Sequence, residues 1–346
     1  MKYFFTLTIF LIINNFYLFS QTDVVTGLNF IPLNIAFNGN ELYMSSNAGE
    51  ILKINITEST PTVTNVVSGL NFPYGLAFKG NELYISDIGE GKISKIDITE
   101  TAPTITDVVT GLTVSPKFLA FNGNDLYLSG SGKISKIDIT ETTPTIIDVV
   151  TGSNHFRGIT FNGSDLYVTD TSNAEILKID ITAITPSVIE IVTGLTSPWG
   201  LSLNGNELYF ADFHAGKISK IDITATLPTV TDIVTNLTTP SRLAFNGNVL
   251  YFSQSNAGKI SKIDVSTLST GDLTFPKLLL FPNPANQFFQ VSGLSKNEKY
   301  TLYNILGTAI KKGIISNYKQ IDIKNLTNGL YFLKFDDNNT IEFIKK

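Results

Sequence analysis

Apolar and polar residues alternate strictly through the segment KISKIDI, and the same alternation returns with small variations along most of the chain. Period two is the mark of a half-buried strand. After each return comes a Thr-rich stretch marked by proline (Pro61, Pro103, Pro144, Pro186 and Pro228) and then a run of the type TDVVTGL. Ahead of it stand a run such as YGLAF, an Asn-Gly step and ELYIS. Asn-Gly favours positive φ and predicts a tight hairpin between the two runs it separates. Each unit therefore predicts four short strands: a (YGLAF), b (ELYIS), c (KISKIDI) and d (TDVVTGL). No helical periodicity of useful length is present.

The unit occurs six times. Its marker tyrosines are Tyr43, Tyr84, Tyr127, Tyr167, Tyr209 and Tyr251, a period of about 42 residues. Four strands at this period predict a propeller blade, and blades must stack around an axis because none can bury both faces alone. The first TDVVTGL, Thr22 to Leu28, has no unit in front of it to close. The sixth unit supplies strand a near Arg242, b near Tyr251 and c as KISKIDV, but nothing like strand d follows Val265. The orphan at Thr22–Leu28 is predicted to pair with Lys259–Val265 and close the ring, leaving no open sheet edge.

With 346 residues the chain has room for one large domain and a smaller one. It is 42% hydrophobic and 16% charged, with abundant Phe and Tyr, a composition that favours strands. Net charge is −5 and the only basic doublets are Lys311-Lys312 and Lys345-Lys346. Nothing resembles the basic stripe a phosphate backbone needs, so nucleic acid is excluded as a partner. The absence of cysteine excludes thiol chemistry, haem attachment and thiolate metal sites. Residues 1–20 carry Lys2, an apolar run from Tyr3 to Ile13 and Ser20 before Gln21, the pattern of a secretory signal peptide cleaved near Ser20. The alternative is an uncleaved anchor. No later stretch is apolar enough to span a bilayer, so no transmembrane segment is expected after cleavage.

The pattern from Pro73 to Asp87, P-x-G-L-A-F-x-G-N-E-L-Y-I-S-D, resembles the NHL-type and gluconolactonase-like group of six-bladed propellers. The Gly-His and Trp-Asp signatures of WD-type propellers are missing. The resemblance covers residues 21–266 and implies that the d–a and b–c loops form the binding face. At the entry to strand a the copies read IPLN, FPYG, SPKF, HFRG, SPWG and TPSR. Tyr74, Lys117, Arg157, Trp199 and Arg242 would ring the channel mouth, with Phe118 and His155 beside them. Guanidinium groups and aromatic faces suit a polar, anionic or sugar-like ligand. The other reading is drift in solvated loops, with aromatics packed between blades. In the b–c loops Asp87, Asp170, Asp212 and His214 could hold a divalent cation, or each Asp could serve its own turn. No cofactor is required, and a divalent cation is the one candidate.

Enzymatic relatives in that group use Glu, Asn and Asp ligands in the channel, whereas the inner strands here (NIAF, GLAF, FLAF, GITF, GLSL and RLAF) contain no acid. No paired carboxylates, Ser-His-Asp arrangement or phosphate-binding Gly loop stands out. The repeat ends at Ser266, and residues 267–276 read as a linker. Residues 277–346 predict about seven short strands and a small Ig-like β-sandwich. Their runs LLLFPNPANQFFQV, YTLYNILG, IDIKNLTNGLYFLKF and the terminal IKK resemble the type A C-terminal sorting domain of type IX secretion. Pro282, Asn283 and Pro284 at the entry strand and Asn328-Gly329 at a turn carry that motif; a binding role for this domain is the alternative. The resemblance implies a diderm bacterium of the Bacteroidetes kind, a type IX translocon as partner, and a secreted or outer-membrane surface location. The expected whole is an all-β chain: a six-bladed propeller closed by an N-terminal strand, plus the small sandwich. Its expected role is that of a binding or interaction module for a small-molecule, glycan or protein ligand. The alternatives are a channel-sited hydrolase or lyase and a structural surface protein.

Overall fold

A computed structural model describes residues 21–346 except 113–114, 131, 153–154, 184–185, 267–278, 293, 295 and 336–339. The expected leader, residues 1–20, and linker, residues 267–276, lie outside these residues. The chain divides into two compact units, with the division after Ser266.

Among its described residues the first unit holds six four-stranded antiparallel sheets. Pro32–Asn38, Glu41–Ser46, Glu50–Asn55 and Thr64–Ser68 make the first, in the order a-b-c-d that the repeat predicts. The next four sheets repeat it, opening at Pro73–Lys79, Phe118–Asn122, Phe156–Asn162 and Pro198–Asn204. In the sixth, Pro240–Asn246, Val249–Gln254 and Lys259–Asp264 are joined by Thr22–Val25 from the other end of the unit. That strand runs antiparallel to Lys259–Asp264 in the register Thr22↔Lys262 and Asp23↔Ser261. The first strands lie against one another in sequence order, and Pro240–Asn246 lies against Pro32–Asn38.

One local device recurs where strand c meets strand d. A Lys and a Ser on c both face an Asp on d: Lys92 and Ser94 with Asp107, Lys133 and Ser135 with Asp148, Lys217 and Ser219 with Asp232. Asp23 completes a fourth set, 3.1 Å from Lys259 Nζ and accepting from Ser261 Oγ at 2.7 Å. Burial alone would raise the Asp23 pKa, but the Ser261 and Lys259 interactions hold it below the usual carboxylate range. The N-terminal strand thus carries the side chain that the sixth sheet lacks.

Between sheets, the b-strand Tyr of one meets the a-strand Phe of the next edge-on: Tyr43 with Phe78, Tyr84 with Phe121, Tyr127 with Phe161, Tyr209 with Phe245, and Tyr251 back to Phe37. Ring centroids lie 4.8–5.1 Å apart, the separation at which edge-to-face pairs add to burial. The fourth-to-fifth junction breaks the series because Leu203 replaces Phe there. The a–b hairpin also differs in detail from the sequence expectation. Its two-residue loop is Gly-Asn: Asn38 pairs with Glu41, so the preceding Asn belongs to strand a. Gly39 takes φ 58°, a region glycine enters without steric cost. The freed Asn side chains reach the next turn instead, Asn38 Nδ2 to Gly80 O, Asn122 Nδ2 to Gly163 O and Asn246 Nδ2 to Gly39 O.

The second unit holds seven strands among its described residues. Leu279–Phe281, Phe288–Ser292 and Ile321–Asp322 form one sheet; Ala309–Ile315, Glu298–Asn304, Gly329–Phe335 and Thr340–Lys345 form the other. Phe289, Val291, Leu302, Tyr331, Leu333 and Phe343, drawn from both sheets, share one core. Pro282 and Pro284 follow the first strand directly. Asn283 between them accepts from Ile344 N at 3.0 Å, tying the segment to the last strand. Asn328 sits at a bend and Gly329 opens its strand.

Deleting residues 22–28 strips Lys259–Asp264 of its outer partner and is expected to lower the denaturant midpoint of the whole first unit; an unchanged midpoint would show the strand to be dispensable. In the fourth sheet the c–d device is inverted. Glu175 stands where Lys92 stands in the second sheet, and Glu190 replaces Asp107. Burial, with Glu190 and Asp170 adding like charge, pushes the Glu175 pKa up. A carboxyl raised in the folded state costs stability above that pKa and none once protonated. Glu175→Lys is therefore expected to raise stability at neutral pH by about 1 kcal/mol, with the gain shrinking as pH falls through the Glu175 pKa. Urea denaturation at several pH values reads it.

Candidate functional site

Where the six first strands meet, one position of the repeat carries Asn34, Gly75, Phe118, Gly158, Gly200 and Arg242. The three glycines are there because backbones crowd. A Cβ at Gly75, Gly158 or Gly200 would lie 2.8, 2.3 or 2.5 Å from the carbonyl oxygen of Lys117, Trp199 or Ser241 in the following sheet. Such separations admit no side chain. Two large side chains of this position, Phe118 and Arg242, are buried at 5% and 2% exposure.

Arg242 reaches across to four other sheets. Its Nε donates to Leu33 O of the first at 2.5 Å and its Nη2 to Tyr74 Oη of the second at 2.6 Å. Nη1 donates to the neighbouring Ser241 O at 3.2 Å. The guanidinium carbon lies 4.2 Å from the ring centroid of Phe118 in the third sheet, 4.9 Å from that of Tyr74 and 5.2 Å from that of Trp199 in the fifth. Each nitrogen thus makes one hydrogen bond, and the cation is held over aromatic faces.

Arg157, from the fourth sheet, shares the same indole: its guanidinium carbon is 4.2 Å from the Trp199 centroid. The indole stacks in turn on Phe213 at 4.2 Å and 13°, and its Nε1 donates to Ser197 Oγ. Arg157 Nε is buried and has no hydrogen-bond partner. Lys117 is half-buried beside the pair. Burial lowers all three cations' pKa values; Tyr74 partly offsets this for each, while Arg157 and Arg242 depress Lys117 further and Arg157 depresses Arg242. No carboxylate is among the groups that act on any of the three, and none pairs with them among the described residues.

Of the residues singled out from the sequence, Tyr74, Lys117, Phe118, Arg157, Trp199 and Arg242 come together. Tyr74, Phe118 and Arg242 lie buried inside the cluster; Lys117, Arg157 and Trp199 remain partly exposed. His155 is exposed and engages Ser172 Oγ at 2.8 Å. Asp87, Asp170, Asp212 and His214 are not gathered, and no three His, Asp or Glu side chains among the described residues are placed to share an ion. Each Asp instead ties down its own loops: Asp87 accepts from Asn71 N, Asp170 from Ser172 N, and Asp212 from Thr196 N and Ser197 N. Gln254 takes the same part in the sixth sheet, accepting from Thr238 N. His214 lies edge-on to Phe213. Phe213 and the Leu33 carbonyl were not visible as site groups in the sequence; only the position of Phe213, directly after Asp212, hinted at the former.

Arg242→Leu would take from the Leu33 carbonyl and the Tyr74 hydroxyl the donor that Arg242 supplies, and is expected to cost about 2 kcal/mol in guanidinium unfolding. Arg157→Met removes a partly desolvated cation with an unmet donor and should leave stability within about 1 kcal/mol of the parent.

Residues 279–346 match the family described as "Secretion system C-terminal sorting domain". They are such a sorting domain, of the type IX kind. No curated protein sequence matches the chain. Among solved structures, a chain of a nidogen/laminin complex is similar at TM-score 0.57 and 18% identity, over 67% of this chain and 91% of that one. Virginiamycin B lyase from Staphylococcus aureus is similar at TM-score 0.54 and 14% identity, over 71% and 98%. A luciferin-regenerating enzyme is similar at TM-score 0.55 and 14% identity, over 68% and 92%. These structures are β-propellers, and likeness at such identity shows the fold: the chain is all-β and carries a propeller.

Proposed function

We propose that the protein is a secreted or cell-surface binding module: a six-bladed propeller closed by Thr22–Val25, exported by a leader over residues 1–20 and an Ig-like sorting domain of type A. The sorting domain is the address read by the type IX translocon of a Bacteroidetes-type diderm, and after export the propeller is released or held at the outer surface. No helix among the described residues is long and apolar enough to cross a membrane.

The observation that carries the binding role is the cluster of Lys117, Arg157 and Arg242 against Tyr74, Phe118 and Trp199. It gathers six of the seven positions expected at the channel mouth, from five of the six sheets. Cations and ring faces without a carboxylate offer charge-assisted hydrogen bonds and stacking. A small molecule, glycan or protein segment reaching the half-exposed Arg157 and Trp199 would be held there.

Glycan and metabolite binding arrays probed with the full chain, Trp199→Ala and Arg157→Ala test the reading. At least one ligand class is expected to lose about tenfold or more in affinity with each substitution. Binding that neither change affects would sink the channel-mouth site.

A further inference from the structure

We propose that the cluster is an oxyanion site, taking a carboxylate, sulfate or phosphate group of the ligand on Arg157 and Lys117. This rests on the channel-mouth reading and names its ligand chemistry.

Charge matching elsewhere in the unit makes the site stand out. Along the c strands lysines meet carboxylates, as in Lys92–Asp107 at 3.0 Å, Lys136–Asp125 at 2.8 Å and Lys178–Asp165 at 2.6 Å. At the meeting of the inner strands three cations have no such partner among the described residues. Two of them lie over one indole, and the third is depressed by both. Like charges in a partly desolvated place repel more strongly than in water, and a bound anion turns that repulsion into attraction.

The three cations divide the work. Arg242 has given its nitrogens to Leu33 O, Ser241 O and Tyr74 Oη, so it contributes fixed charge from beneath. Arg157 has a buried Nε–H with nothing to donate to. Its planar fork suits two oxygens of one group. Lys117 supplies a movable ammonium beside it. The Trp199 face, already backed by Phe213, orients Arg157 and bounds the site on one side.

Trp199 is also the only tryptophan in the chain, so tryptophan fluorescence, excited at a wavelength where tyrosine does not absorb, reports this site alone. The full chain is titrated with sodium sulfate, sodium phosphate, sodium acetate and sodium glucuronate at ionic strength matched with chloride, and with glucose as the neutral control. A saturable change is expected with at least one oxyanion and weakened about tenfold or more in both Arg157→Met and Lys117→Met. The acetate and glucuronate arms separate a carboxylate from the tetrahedral anions. Folding of both variants is checked by far-UV circular dichroism. No saturable response to any oxyanion, or one that both variants retain in full, overturns the proposal. If a neutral sugar responds through Arg157 while oxyanions do not, the anion assignment fails and the channel-mouth reading stands. If, in addition, array binding ignores Trp199→Ala and Arg157→Ala, both fail.

Discussion

Six strands converging on one line leave little room between their backbones, and the rest of the first unit answers to that crowding. Gly75, Gly158 and Gly200 sit where the next strand's carbonyl oxygen occupies the place of a side chain. The same position carries Phe118 and Arg242 in the third and sixth sheets, both buried. A strand position that is glycine in three sheets and a large side chain in two allows close packing without symmetry. It also brings charge to the centre, since one of the two large occupants is an arginine. Its nitrogens then have to find acceptors from the first, second and sixth sheets.

Outward from that line the sheets hold together by repeated small devices. Tyr–Phe edge contacts join neighbours in the core, and Asn side chains cross between hairpins. Lys–Ser–Asp sets fasten strand d to strand c. None is large alone. Surface pairs of this kind contribute about 1 kcal/mol or less each, and the burial of Leu42, Leu83, Leu126, Leu166, Leu208 and Leu250, all fully enclosed, carries more. The polar devices set register: a one-residue slip would turn each Asp to the wrong face of its sheet.

Much of this was readable from the chain. Period-two alternation and the recurring tyrosines located the strands, and the count of d-type runs identified Thr22–Leu28 as belonging with the sixth unit. The seven strands of the second unit also fall where its short apolar runs predict them. The hairpin loop was misplaced by one residue, because Asn-Gly and Gly-Asn carry the same turn preference and only pairing decides between them. Within the site, residue type showed that arginines and aromatics would meet. It did not show that Arg242 would be enclosed and satisfied while Arg157 kept an unmet donor, since that depends on which backbones approach to within a side chain's width. The aspartates of the b–c loops posed the same difficulty: a carboxylate that binds an ion and one that binds two loop N–H groups are identical in sequence.

The mixed origin of the sixth sheet bears on the order in which the chain can fold. Asp23 and Ser261, hydrogen-bonded at 2.7 Å, are separated by 238 positions. Five sheets are assembled from residues close together in the chain, and each can form as soon as its own segment has been made. The sixth waits for both ends. Until Lys259–Asp264 is synthesised, Thr22–Val25 has no partner in its own sheet, and the entropy of closing so long a loop is met only at the last step. Completion of the fold is thereby coupled to completion of the unit, so a chain cut short before residue 259 lacks the c strand against which its first strand pairs.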